Sequence, residues 1–196
     1  LVNNTLTGYQ INPSITHLNC GGYVIVWNSQ DTGASLNFDV IAQRYLTDGS
    51  RLGTNFQVNN ISSGNQSYPS IANHQVENSN HYIITWSGYQ AATNLNKIYY
   101  QIFHNNEPIH NFDIQIDATN PATSNQLFPR VAGLYNGNYV IVWMADDTGS
   151  GTGFYSVKGV IIDDNGNVVI SKFQVNATHP YNVSYPYVAG LPTLDA

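Results

Sequence analysis

Tyr23-Val24-Ile25-Val26-Trp27 returns as Tyr82-Ile83-Ile84-Thr85-Trp86 and again as Tyr139-Val140-Ile141-Val142-Trp143, and this ribbon decides the fold. Side chains alternate faces along a strand, so Tyr23, Ile25 and Trp27 share one face while Val24 and Val26 take the other. Both faces are apolar in two of the three copies. A strand of that kind lies inside a sheet that is covered front and back.

Other matches keep the same period on either side of the ribbon. Upstream stands a Pro-x-Ile/Val step: Pro13-Ser14-Ile15, Pro69-Ser70-Ile71 and Pro129-Arg130-Val131, with a fourth starting at Pro186-Tyr187-Val188. Downstream stand Phe56-Gln57-Val58-Asn59 and Phe173-Gln174-Val175-Asn176, with Ile114-Gln115-Ile116-Asp117 as a looser middle copy. The period is about 57 residues, the signature of a repeat architecture. Each unit reads as four short strands: one after the proline, the Tyr-to-Trp run, a third such as Asp39 to Tyr45, and the Phe-x-Val segment. Asp48-Gly49 and Asn165-Gly166 mark hairpin turns, because Gly tolerates positive φ. No segment carries a helical apolar stripe.

The expected architecture is all-β: one repeat domain of three four-stranded antiparallel blades, in an incomplete ring or open array. The repeats span about 10–59, 66–117 and 126–176, with partial repeats at 1–9 and 182–196. Sheets stacked radially give each blade two covering neighbours. A β-trefoil or β-prism is the alternative, since a ring needs about four to eight blades. The string Gln-x-x-Pro-x-Ile, Gly21-Gly22-Tyr23-Val24-Ile25-Val26-Trp27, Ala42-Gln43-Arg44-Tyr45, Asp48-Gly49 and Phe56-Gln57-Val58-Asn59 resembles the tandem repeats of large secreted bacterial and protist surface proteins. That resemblance implies propeller blades and a cell-surface or extracellular setting.

Composition narrows the function. Of 196 residues only 9% are charged, against about 25% in ordinary domains. A net charge of −6 with six Lys plus Arg is the wrong balance for binding a phosphate backbone, so nucleic acid is excluded as a partner. No stretch reaches the ~18 apolar residues of a membrane helix. The lone Cys20 allows no intrachain disulfide and has no activating neighbour in sequence. Leu1 at the start, without a signal-like segment, reads as a processed or excised product.

Candidate chemistry is sparse. Ser29-Gln30-Asp31-Thr32-Gly33 resembles the Asp-box of sialidase-type propellers, a structural hairpin without catalytic duty. Asp31, Asp146 and Asp147 offer hard oxygens for Ca²⁺, the one cofactor considered. Glu occurs only at Glu77 and Glu107, and the Asp residues fall mostly in turns, so no carboxylate pair for glycoside hydrolysis stands out. The six histidines (His17, His74, His81, His104, His110, His179) occupy non-equivalent positions and read as scattered polar residues. Asn3, Asn60, Asn65, Asn176 and Asn182 head glycosylation sequons. All five lie between strand four and the next strand one, where sugars would decorate one face. Tyr9, Tyr68, Tyr181, Tyr185 and Tyr187, in the same connections, are the aromatics free to meet a ligand.

These readings point to a non-enzymatic structural or adhesive module that self-associates through unpaired strand edges. A carbohydrate- or protein-binding module and a fragment of a propeller glycoside hydrolase are the alternatives.

Overall fold

The computed structural model describes residues 2, 8–30, 37–76, 79–116, 124–146, 155–176 and 185–190. Three antiparallel sheets follow one another along the chain, and no helix occurs among the described residues. The first blade runs in the order β1 (Gln10–His17), β2 (Tyr23–Ser29), β3 (Asp39–Tyr45), β4 (Arg51–Gln57). The second holds β5 (Gln66–Asn73), β6 (His81–Gln90) and β7 (Leu95–His104), with its fourth strand split into β8 (Glu107–Pro108) and β9 (Ile114–Gln115). The third is β10 (Gln126–Gly133), β11 (Tyr139–Asp146), β12 (Tyr155–Ile162) and β13 (Val168–Gln174). The middle sheet is buried on both faces, one against the first sheet and one against the third, which is the stacking of propeller-type blades and not of a trefoil or of a prism, whose sheets each turn one face to a common core.

Alternation along the Tyr-to-Trp ribbon does what its sequence demands. Val24 and Val26 of β2 meet Tyr82, Ile84 and Trp86 of β6 in one buried cluster. Ile83, on the opposite face of β6, meets Tyr139, Ile141 and Trp143 of β11 in a second. In every blade, therefore, the Tyr/Ile/Trp face looks back along the chain and the other face looks forward. Trp86 and Trp143 are fully buried and Trp27 nearly so, the equivalent settings that a modular fold requires.

Four hairpins close with one design. Leu18, Leu46, Leu134 and Asp163 each donate N–H to the carbonyl four residues on and accept from the Gly three residues on. Those glycines, Gly21, Gly49, Gly137 and Gly166, all have positive φ. The middle blade instead joins β7 to β8 through Asn105 (φ 47°) and Asn106 (φ 71°), the paired left-handed residues of a type I′ turn.

Strand one departs from its expected start. It begins at the glutamine, three residues before the proline, and is broken there: the register slips between Ile11 and Ser14, Ser67 and Ser70, and Leu127 and Arg130. The residue before each proline is left-handed: Asn12 (φ 53°), Tyr68 (57°), Phe128 (53°) and Tyr185 (54°). Residues 185–190 thus repeat the bend at the fourth Pro-x-Val step. Each strand one lies beside the next at the inner edge. Asn73 N–H donates to Thr16 Oγ1 (3.1 Å) and Val131 N–H to Ser70 Oγ (3.3 Å).

Candidate functional site

The inner edges of the blades enclose a cleft of about 400 Å³, lined by the Pro-x-Ile/Val steps of all three blades and by Tyr187-Val188. The left-handed bend builds its aromatic side. Tyr68 packs on Phe128 with ring centroids 4.2 Å apart, and Phe128 on Tyr185 at 4.7 Å. Left-handed φ in a non-glycine residue costs of order 1–3 kcal/mol, and such strain concentrates at functional sites. Polar residues of the lining include Asn12, Ser14 and Ser70, with Arg130 the one charged residue in the described lining. The surface therefore offers aromatic faces, neutral donors and acceptors and one guanidinium, a set suited to hydroxyl-rich ligands.

Of the tyrosines expected at a binding surface, Tyr68 and Tyr187 line this cleft, and Tyr185 stacks at its margin. Tyr9 is exposed (69%), and Tyr181 lies outside the described residues. Phe128 carries the same strained geometry but was not singled out in sequence; the signal was its place before Pro129 in the repeat.

The acidic candidates fall elsewhere. Asp31 and Asp147 lie outside the described residues, while Asp146 is buried at the end of β11. Asp39 accepts from Asn59 Nδ2 (2.8 Å), and Asp113 accepts the N–H groups of Asn60 and Ile61. Asp48 is held below the usual carboxylate range by the hydroxyl and N–H of Ser50. No described carboxylate lines the cleft.

The sequon asparagines divide similarly. Asn3 and Asn182 lie outside the described residues, and Asn60 and Asn65 are exposed. Asn176 Oδ1 accepts Val157 N–H (2.8 Å), and Asn59 Oδ1 accepts Val40 N–H (2.7 Å) at the matching place. The last residue of the Phe-Gln-Val-Asn motif thus caps strand three.

Three of the six histidines come together. His74 follows β5, His81 opens β6 and His104 ends β7, so one end of the middle blade gathers all three. His81 and His104 stack with centroids 3.4 Å apart, and His74 lies 5.4 Å from His81. Asp164, in the β12–β13 turn of the next blade, brings Oδ2 to 3.8 Å from His81 Nδ1. Burial, above all, lowers the pKa of His74 and His81, with neighbouring imidazoles adding to it and Asp164 opposing. Strand pairing creates this cluster, so no local spacing announced it.

No family model and no curated protein matches the sequence. Solved structures do match the fold. The α-L-arabinanase of Penicillium chrysogenum, solved with arabinobiose, superposes with a TM-score of 0.61 at 16% identity, over 91% of this chain and 54% of that one. An endo-arabinase from Bacteroides thetaiotaomicron gives 0.53 at 13% identity, over 90% and 66%. This chain spans between half and two thirds of their length. The expectation of a non-enzymatic, adhesive, self-assembling module is corrected here: the solved proteins that share these blades are propeller glycoside hydrolases, the fold of the alternative reading.

Proposed function

We propose that this chain forms three blades of a propeller glycoside hydrolase and that its axial cleft holds part of an oligosaccharide substrate. The observation that carries the reading is the coincidence of fold and lining. A blade arrangement shared with an arabinanase that binds arabinobiose places Tyr68, Tyr187, Asn12, Ser70 and Arg130 around one cleft. Aromatic faces pack against the C–H faces of sugars, while the amide, hydroxyls and guanidinium take their hydroxyl oxygens. Hydrolysis demands two carboxylates, about 5–5.5 Å apart for retention or 6.5–9.5 Å for inversion. The described lining supplies binding and orientation, and the acid pair belongs to residues outside it. An extracellular setting fits a polymeric substrate.

Titration of the isotopically labelled chain with arabinobiose, followed by NMR, tests the binding role. Shifts should concentrate at the four pre-proline bends, and Tyr68→Ala or Tyr187→Ala should weaken binding at least about tenfold, the scale of one lost aromatic contact. Shifts confined to the blade rims, or wild-type affinity in both variants, would sink the proposal.

A further inference from the structure

A second site lies away from the axial cleft, in the seam between the middle and third blades. One ligand atom from each of His74, His81 and Asp164 falls within a set no more than 4.8 Å across. His74 is only 6% exposed, yet neither ring nitrogen has a hydrogen-bond partner. The Gly137 backbone lies beside the ring, a polar neighbour short of a full hydrogen bond. His81 Nδ1 is likewise buried without a hydrogen bond, and Asp164 faces it at the longer ion-pair distance. Buried polar atoms are almost always satisfied, so each orphan needs a reason. One nitrogen of each ring lies with the Asp164 carboxylate in one space, and a cation held there would satisfy both.

We propose that His74, His81 and Asp164 bind a single divalent first-row transition ion, Zn²⁺ being the best suited, as a clamp between two blades. Two imidazoles and a carboxylate form a nitrogen–oxygen ligand set that Zn²⁺ accepts, with water in the fourth position. Zn–N and Zn–O bonds of about 2.0–2.2 Å put ligand atoms about 3.3 Å apart in a tetrahedron, so the side chains close by about 1.5 Å at most. His104 stacks behind His81 and fixes its plane. His81 and Asp164 are partly exposed, which leaves a path for the ion. The ligands come from two blades, so the bound ion resists their separation.

The test uses the whole chain, stripped of metal and titrated with Zn²⁺ alone. One ion should bind per chain, with a rise in Tm that a chelator reverses. His74→Gln and His81→Gln should each weaken binding by more than the roughly 10- to 100-fold typical of outer-shell changes. Asp164→Asn should weaken it and abolish the Tm rise, while His17→Gln and Cys20→Ser should bind as the parent does. Co²⁺ bound to the unmodified chain reports the site independently of how the variants fold, and should show tetrahedral d–d bands without thiolate charge transfer. Binding below half an ion per chain, parental affinity in His74→Gln, loss in Cys20→Ser, or an octahedral or thiolate Co²⁺ spectrum would each overturn the assignment.

Discussion

Gln66 Oε1 accepts the indole N–H of Trp86 at 3.0 Å, with both side chains withdrawn from solvent. The first blade repeats the bond between Gln10 and Trp27 at 2.6 Å. This explains two recurring letters at once: the glutamine opening strand one satisfies the tryptophan within strand two. The third blade breaks the pattern. Gln126 Oε1 accepts Ile98 N–H (3.2 Å), and Trp143 Nε1 is left without a partner.

Gln66→Leu should therefore cost about 1–3 kcal/mol, the penalty for stranding a buried donor. Urea unfolding should show a lower midpoint at unchanged m. A midpoint equal to the parent's would mean that the indole finds another acceptor. Gln126→Leu leaves Trp143 as it was and strands the Ile98 amide instead. Its damage should appear as faster amide exchange at Ile98 in the middle blade.

Two buried tyrosines behave oppositely to a third. Tyr82 and Tyr139 are fully buried, and neither hydroxyl has a hydrogen-bond partner. Removing such a group spares its desolvation, so Tyr82→Phe and Tyr139→Phe should be neutral or stabilising by up to about 1 kcal/mol. Tyr100 donates its hydroxyl to the Gly166 carbonyl across the blade seam at 3.1 Å. Tyr100→Phe should cost about 0.5–1.5 kcal/mol. Thermal unfolding of the three variants orders them, and a marked loss in Tyr82→Phe would contradict the unsatisfied hydroxyl.

The fold was legible because its signals are local and repeated. Alternation in Tyr23 to Trp27 gives burial on both faces, and Gly49 and Gly166 mark their turns. The looser middle copy, Ile114-Gln115-Ile116-Asp117, marked the blade whose fourth strand is split. The bend before each proline was hidden because Tyr68, Phe128 and Tyr185 are residues that disfavour left-handed φ; tertiary packing overrides their preference. The axial cleft is assembled from four such bends, far apart in sequence. The histidine cluster was hidden for a related reason. Pairing of His81 with His104 and the backbone bond from His74 N–H to the His81 carbonyl bring the rings together, while Asp164 arrives from another blade.

Alkaline stability follows from the same tyrosines. Burial pushes Tyr100 up to about 12, with Asp163 adding to it. Tyr82 and Tyr139 are raised further, again chiefly by burial, with Arg44 opposing at Tyr82 and Asp164 adding at Tyr139. The unfolded chain ionises its tyrosines near pH 10, whereas the folded chain holds these three protonated. Stability is thus unaffected by them below about pH 10. Above it each contributes a loss of up to about 1.4 kcal/mol per pH unit until its folded pKa is passed. Urea midpoints should fall steeply between about pH 10 and 12, and Tyr82→Phe should flatten that slope. An identical slope in parent and variant would show that Tyr82 ionises freely in the fold.

Gly133 tests how closely the blades approach at the axis. A Cβ built there would lie well inside contact distance of the Asn73 carbonyl, and Gly190 stands in the same relation to the Gly133 carbonyl. The obstacle is backbone in a neighbouring strand one, which cannot swing aside as a side chain does. Gly133→Ala must therefore push β10 away from β5, opening the seam that holds Ala72, Val131 and Ile141. Overpacking of this kind costs about 1–3 kcal/mol. Gly53 offers the contrast, since nothing lies within 4 Å of its Cβ position. Gly53→Ala should lose only about 1 kcal/mol, for its positive φ. Equal losses in the two variants would mean that backbone conformation, and not the close approach of adjacent blades, selects glycine at position 133.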